Sequence, residues 1–439
     1  MKILKQYKAA VFIIISACVL YAFFAWKMPM ELCPDEEMRY LIPQWLAVHN
    51  SLPIGFEEEI IYPIWGFSYA SSPYLPSIIG GFFMRMALLF TSDPHFLLFV
   101  CRLVSVVSGV GVVFWCFRIG SKVFDNKASV YLMAVFIGFL PQMVFLCGYF
   151  NNDTLSFFSC MLILDAILTA RETSWNLKNS LYLAMGISIC ALTYYYAYGW
   201  ILFAVAAYFY TAYLEKKGIK SVLKYAGIIT LMVLVLAGWY FIRNAVIYDG
   251  DLFGLNQSEV SRALYVASGH QISVGGVSAQ MMGLSFHQML YEFGWIRTSS
   301  QSLLGYFGYM YYPMRWIVYD LYKIFFYIGL FCIVYFHSFV KINKKFVLGM
   351  LFTIAIPVIL SAYYSYFEDY QAQGRYLISI LPGMIILIVS GYDALVNWSK
   401  TKDGVLKGAM PVVPIIALIA LIAIFVYVLF SQMLHILIF

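Results

Sequence analysis

The chain has 439 residues, of which 63% are hydrophobic, 19% aromatic and only 11% charged, with a formal net charge of +6. This composition excludes an ordinary water-soluble domain and makes lipid the solvent, so the positive charge is read as a topology signal and not as a nucleic-acid footprint. In hydrocarbon the backbone must be satisfied internally, and continuous apolar runs such as residues 415–430 favour helices over the short alternating segments of a barrel.

Lys2, Lys5 and Lys8 precede the first apolar run, and no small-residue cleavage site comes before Lys27. An uncleaved first span with a cytoplasmic N-terminus is expected. Runs long enough to cross the bilayer recur at residues 9–26, 96–117, 128–148, 154–170, 180–196, 199–214, 225–242, 315–337, 346–365, 375–392 and 410–432, which predicts about 11 transmembrane helices in an all-α polytopic protein. Residues 74–91 carry Pro76, Gly80, Gly81 and Arg85, and suit an interfacial or re-entrant helix in the first outer loop better than a plain span. With that segment left outside, the inner side collects 18 of the 28 basic residues, Arg118, Lys122, Lys216, Lys217, Lys341 and Lys407 among them, but only six of the 22 acids. Inner loops should be basic, and making 74–91 a crossing would put Lys122 and Lys216 outside.

One transmembrane domain over 1–439 is therefore expected, with two long outer segments, 27–95 and 243–314. The short inner loops hold no phosphate-binding glycine loop, no internal repeat is visible, and seven of the eight cysteines lie in or beside apolar runs with no metal-type spacing. Function is expected on the outer face.

In the first outer loop, Cys33-Pro34-Asp35-Glu36-Glu37-Met38-Arg39 reads as a helix start, with proline and acids in the first turn. Successive helical residues point about 100° apart, so Asp35 and Glu36 cannot share one target, whereas Asp35 and Arg39 have the spacing of an ion pair. Helix-dipole stabilisation is the simple reading of this run; a carboxylate that deprotonates an acceptor hydroxyl is the functional one. Asn151-Asn152-Asp153-Thr154 is turn and N-cap chemistry that brings a second carboxylate, Asp153, to the same outer surface. Arg243-Asn244 and the turn Tyr248-Asp249-Gly250-Asp251 return there as well. Gln373-Gly374-Arg375 opens a late span, and its guanidinium either snorkels or offers a planar fork to a phosphate. Lys323, within its span, either pairs with Asp320 or is a second cation. The tyrosines at 194–198 and 306–312 read first as interfacial belts.

Taken in order, Pro34-Asp35-Glu36, Arg102-Leu103-Val104-Ser105, Asn151-Asn152-Asp153 and Arg243-Asn244 resemble the GT-C superfamily of integral-membrane glycosyltransferases, which includes protein O-mannosyltransferases and aminoarabinose transferases of lipid A. The segments Ser302-Leu303-Leu304-Gly305-Tyr306-Phe307-Gly308-Tyr309 and Gln373-Gly374-Arg375-Tyr376-Leu377 are similar to a bacterial branch of it. The resemblance implies a GT-C-like fold in a bacterial plasma membrane and transfer of a sugar, on the extracytoplasmic side, from a polyprenyl-phosphate donor to a glycan, lipid or protein acceptor, usually with inversion. It implies Asp35 as base with Glu36 as fallback, Asp153 and Asn152 with Arg39 in substrate binding, and Arg375, Arg243 and Lys323 as counter-charges for the leaving phosphate. A divalent metal is left open, since metal dependence varies across the superfamily. The competing classes are a lipid-linked glycan ligase or polymerase, and a flippase or transporter of lipid-linked saccharides; a transporter should carry ionisable groups at the midplane and on both faces of its path.

Overall fold

A computed structural model of the chain describes residues 9–49, 51–216, 218–273, 276–403 and 408–437; Lys2, Lys5, Lys8, Lys217 and Lys407, counted above among the inner basic residues, lie outside these. The regular elements of the described chain are helices, apart from one two-residue strand pair and an isolated bridge between Tyr62 and Phe67.

The first span is α1 (Ala10–Lys27), followed by two shorter helices of the first loop, α2 (Glu36–Val48) and α3 (Leu75–Ala87). At 13 residues, α3 is too short to cross a bilayer, as its glycines and proline suggest. Asp93 then caps α4 (Pro94–Val123) by accepting from the amides of His95 and Phe96, with Pro94 at the first helical position. The expected span 128–148 is broken: α5 (Lys127–Gly138) and α6 (Pro141–Cys147) meet at 54°. Pro141 cannot donate into the preceding turn, and the Tyr21 hydroxyl donates to the freed Gly138 carbonyl at 2.5 Å.

Next come α7 (Asp153–Thr173), α8 (Leu177–Ala191), α9 (Gly199–Leu214), α10 (Ile219–Ile247, with a π turn at Leu234–Gly238) and the outer helices α11 (Gln257–Ala267) and α12 (Trp295–Leu304). The pair β1 (Tyr306–Phe307) and β2 (Tyr312–Pro313) follows, then the spans α13 (Trp316–Tyr335), α14 (Lys344–Phe367), α15 (Leu381–Ser399, preceded by a 3-10 turn at Gly374–Ile380) and α16 (Val413–Val428).

Among the described residues nine helices are long and apolar enough to cross a membrane, or ten if the bent α5–α6 pair counts as one span. Residues 180–196 do not form an additional long one: α8 has 15 residues, about 22 Å, before the chain turns at Leu192. The apolar windows of α7 and of residues 374–399 are 89% and 94% buried, against 22% for α10 and 28% for α1, so the former make the interior of the bundle and the latter its lipid-facing shell. Helices α13 and α15 cross at Gly329 and Gly391, where an added Cβ on Gly391 would stand 2.0 Å from the Gly329 carbonyl oxygen.

Candidate active site

Cys33-Pro34 ends a short turn, and Asp35 then takes a left-handed conformation with φ of 61°. It precedes α2 without capping it, so its carboxylate is free to turn away from the helix. Arg375, from the turn that opens the α15 span, donates from Nη2 to Asp35 Oδ2 at 2.7 Å and from Nη1 to the Pro34 carbonyl at 3.3 Å. Its side chain is 7% exposed. Gly374 makes this approach possible: its Cα packs so closely on the 302–303 backbone that a Cβ would lie 1.9 Å from the Leu303 amide. Ser302 and Leu303 are thus the surface on which Gly374, the neighbour of Arg375, is seated.

Burial alone would raise the Asp35 pKa, but the guanidinium charges of Arg375 and Arg39 outweigh it and hold the carboxyl below its ordinary 3.8. Asp35 is therefore ionised at neutral pH.

Arg39 does not form the ion pair with Asp35 that the four-residue spacing suggests. The rule for such pairs requires both residues to be helical, and Asp35 is not. The Arg39 guanidinium lies over the Tyr69 ring at 4.1 Å and faces Tyr194 at 5.6 Å, 6% exposed, with no hydrogen-bond or ion-pair partner for its guanidinium among the described residues. Asp153, at the first turn of α7, is 3% exposed and its Oδ1 is buried without a partner. The charges of Arg39 and Arg375 both bear on it. The Arg39 guanidinium and Asp153 Oδ1, beside the Asp35–Arg375 pair, leave donors and an acceptor for a polar ligand. Tyr376 extends the wall: it accepts from Arg375 Nη2 at 2.9 Å, donates to Gln371 Oε1 at 3.0 Å, and stacks on Tyr196 at 4.7 Å.

The other candidates are placed elsewhere. Glu36 is fully buried and takes Arg102 Nε on Oε1 at 2.8 Å and Nη2 on Oε2 at 2.5 Å, while the Phe150 amide adds a bond to Oε1 at 2.6 Å. Both oxygens are occupied, which removes the reason for holding Glu36 as a fallback base. Arg102 completes its set on the carbonyls of Ala25 and Met28, fastening α1, α2, α4 and the start of the 150 turn together. This pair was missed by sequence reasoning, although a lone arginine in the apolar run 96–117 was the available signal.

Asn152 donates to the carbonyls of Pro73 and Thr193 and so positions loops, while Asn151 Oδ1 caps α7 through the Thr154 amide. Arg243 donates from Nη2 to the carbonyls of Leu52 and Pro53, which tethers that loop, while its Nη1 is buried without a partner. Lys323 pairs with Asp320 at 2.8 Å and is 53% exposed on the outside of α13, because its helical face points away from the bundle. Asp251 is turn chemistry, accepting from the amides of Leu255 and Asn256. Among the described residues no three His, Cys, Asp or Glu side chains gather as a metal-type cluster.

Beside Cys33, an apolar groove of about 320 Å³ runs between the strand pair and the last helix, lined by Leu32, Phe307, Tyr311, Tyr312, Gln432 and His435.

Among solved structures the chain is similar to the archaeal oligosaccharyltransferase AglB from Archaeoglobus fulgidus in complex with an inhibitory peptide and a dolichol-phosphate, at 14% identity and a TM-score of 0.56. That alignment covers 96% of this chain and 55% of AglB, so the chain spans about half the length of that protein. It is also similar to ArnT from Cupriavidus metallidurans bound to undecaprenyl phosphate, at 11% identity and a TM-score of 0.55, covering 97% of this chain and 73% of ArnT. The fold is shared with both and is GT-C-like. No curated protein matches the chain by sequence. A family model described as predicted membrane protein (DUF2142) matches residues 55–384, a stretch that includes Asp153 and Arg375 and begins after Asp35. With about three-quarters of its length so matched, the chain belongs to the DUF2142 family of integral membrane proteins.

Proposed function

We propose that this protein is a membrane glycosyltransferase that moves a sugar from a polyprenyl-phosphate donor to a glycan, lipid or protein hydroxyl at the extracytoplasmic face. The observation that carries the reading is the union of Asp35 and Arg375, 340 residues apart in sequence, in one charge cluster with Arg39 and with Asp153, whose Oδ1 is buried without a partner.

The chemistry follows from charge. Asp35 Oδ2 is held by Arg375, which leaves Oδ1 to accept the proton of an acceptor hydroxyl as that oxygen bonds to the anomeric carbon. The bond from the sugar to the phosphate breaks on the opposite face, with inversion, and the departing lipid phosphate is met by Arg39, whose planar fork suits two phosphate oxygens, while Arg375, its Nη2 already bonded to Asp35 and Tyr376, adds its charge. Asp153 positions a sugar hydroxyl. The groove lined by Leu32, three residues before Asp35, offers an apolar surface to the carrier's chain. Sidedness rests on charge: the far ends of α4 and α7 carry Arg118, Lys122 and Arg171. The two neighbours' complexes with polyprenyl-type phosphates agree with this donor class.

The test is release of lipid phosphate from a panel of polyprenyl-phosphate sugars by purified protein. Asp35→Asn should cut turnover by about 10²–10⁴-fold. Unchanged turnover would remove Asp35 as base, and no turnover with any donor, alongside scrambling of saccharide-lipids in liposomes, would favour a transporter.

A further inference from the structure

We propose that the chain carries a second ligand site, a headgroup site for an anionic phospholipid, on the membrane face opposite Asp35. It stands independently of the glycosyl-transfer reading. Helices α4 and α7 both begin at the Asp35 end and run the depth of the bundle. From Asp153 to Arg171 the rise is about 27 Å, and from Arg102 to Lys122 about 30 Å. Between their far ends and the start of α14 lies a cavity of about 200 Å³, its polar side formed by Lys122, Arg171 and Lys341 and its apolar side by Leu168, Ile342 and Phe346, with Glu172 as the one acid.

The three cations differ in what they have left to give. Lys122 Nζ is bonded to Asp165 Oδ1 at 2.6 Å, the Asp165 carbonyl at 3.3 Å and Thr169 Oγ1 at 2.6 Å, so its protons are used and it contributes only its field. Lys341 donates to the Phe124 carbonyl at 3.0 Å and faces Asp125 Oδ1 at 3.2 Å, which leaves one proton. Arg171 has no hydrogen-bond or ion-pair partner among the described residues, and all five of its donors are free. Fully buried Asp165 anchors both Arg118 and Lys122 from behind, which fixes the position of the basic wall.

A cavity that is cationic on one side and apolar on the other fits an amphiphile. Free phosphate or a nucleotide shares the headgroup chemistry but has no use for Leu168, Ile342 and Phe346. A phospholipid places its phosphate on Arg171 and Lys341 and its first methylenes on the apolar side, as basic pockets between cytoplasmic helix ends do.

The full-length protein is reconstituted in phosphatidylcholine nanodiscs doped with phosphatidylglycerol, and the anionic lipid retained on extraction is counted by native mass spectrometry. Arg171→Ala and Lys341→Ala should each weaken retention about fivefold. Arg171→Lys should keep most of it, and Lys178→Ala, exposed on the same face outside the cavity, should leave it unchanged. Arg171→Ala breaks no bond, so it serves where Lys341→Ala fails to fold. Retention in Arg171→Ala equal to wild type, an equal loss in Lys178→Ala, or displacement of the lipid by inorganic phosphate would each overturn the proposal.

Discussion

Replacing Glu36 by glutamine while Arg102 remains tests whether this acid holds the fold or does chemistry. Arg102 and Glu36 are 1% and 0% exposed, joined by two bonds of 2.8 and 2.5 Å, and among the described residues the guanidinium pairs with no other carboxylate. Taking away one partner of a buried pair leaves an uncompensated charge and costs about 3–5 kcal/mol. With an unfolding entropy that grows with chain length, this lowers the melting temperature by about 3–5 °C for 439 residues. The assay is thermal unfolding of detergent-purified protein followed by tryptophan fluorescence, for wild type, Glu36→Gln and Glu36→Gln with Arg102→Met. The double variant should recover most of the loss, because both desolvated charges are then gone. A single variant as stable as wild type, or a double variant no better than the single, would refute a structural role for the pair and return Glu36 to the list of candidate bases.

Two further outcomes follow from the same geometry. Asp35 has a depressed pKa, so the activity that needs its ionised form is complete above the ordinary value of 3.8 and is lost only as pH falls through the lower folded value; in Arg375→Gln the largest favourable charge is gone, burial prevails, and the acid limb of the residual kcat/KM profile should move to higher pH. A limb that stays in place would show that Arg375 does not set the titration. Lys323→Gln should leave donor turnover unchanged and cost at most about 1 kcal/mol of stability, since an exposed pair contributes little, and a large loss of turnover would put Lys323 back at the phosphate.

The outer clustering of Asp35, Asp153 and Arg375 was legible because each opens a helix or stands next to a helix start, and topology alone returns those starts to one surface. Asp35 and Glu36 do part company, one meeting Arg375 and the other Arg102, but the helical angle that suggested this does not apply, because Asp35 is left-handed and stands outside the helix. What could not be read was which long-range partner each would take. Arg39 misleads because the pairing rule assumes a helical Asp35, and a left-handed residue breaks it. Lys323 misleads because hydropathy gives depth in the membrane but not the direction a side chain faces. The break at Pro141 and the early end of α8 depend on single residues within runs that are apolar on both sides, where periodicity carries no signal.

The seating of Gly374 on Ser302 and Leu303 has a consequence for biogenesis. A nascent chain stopped anywhere before that glycine already displays the first-loop acid at the bilayer surface, yet lacks the guanidinium that completes its pocket. The bond between Asp35 and Arg375 can therefore form only in a late step, when the α15 span enters the bundle and closes the ring of contacts begun by the first loop.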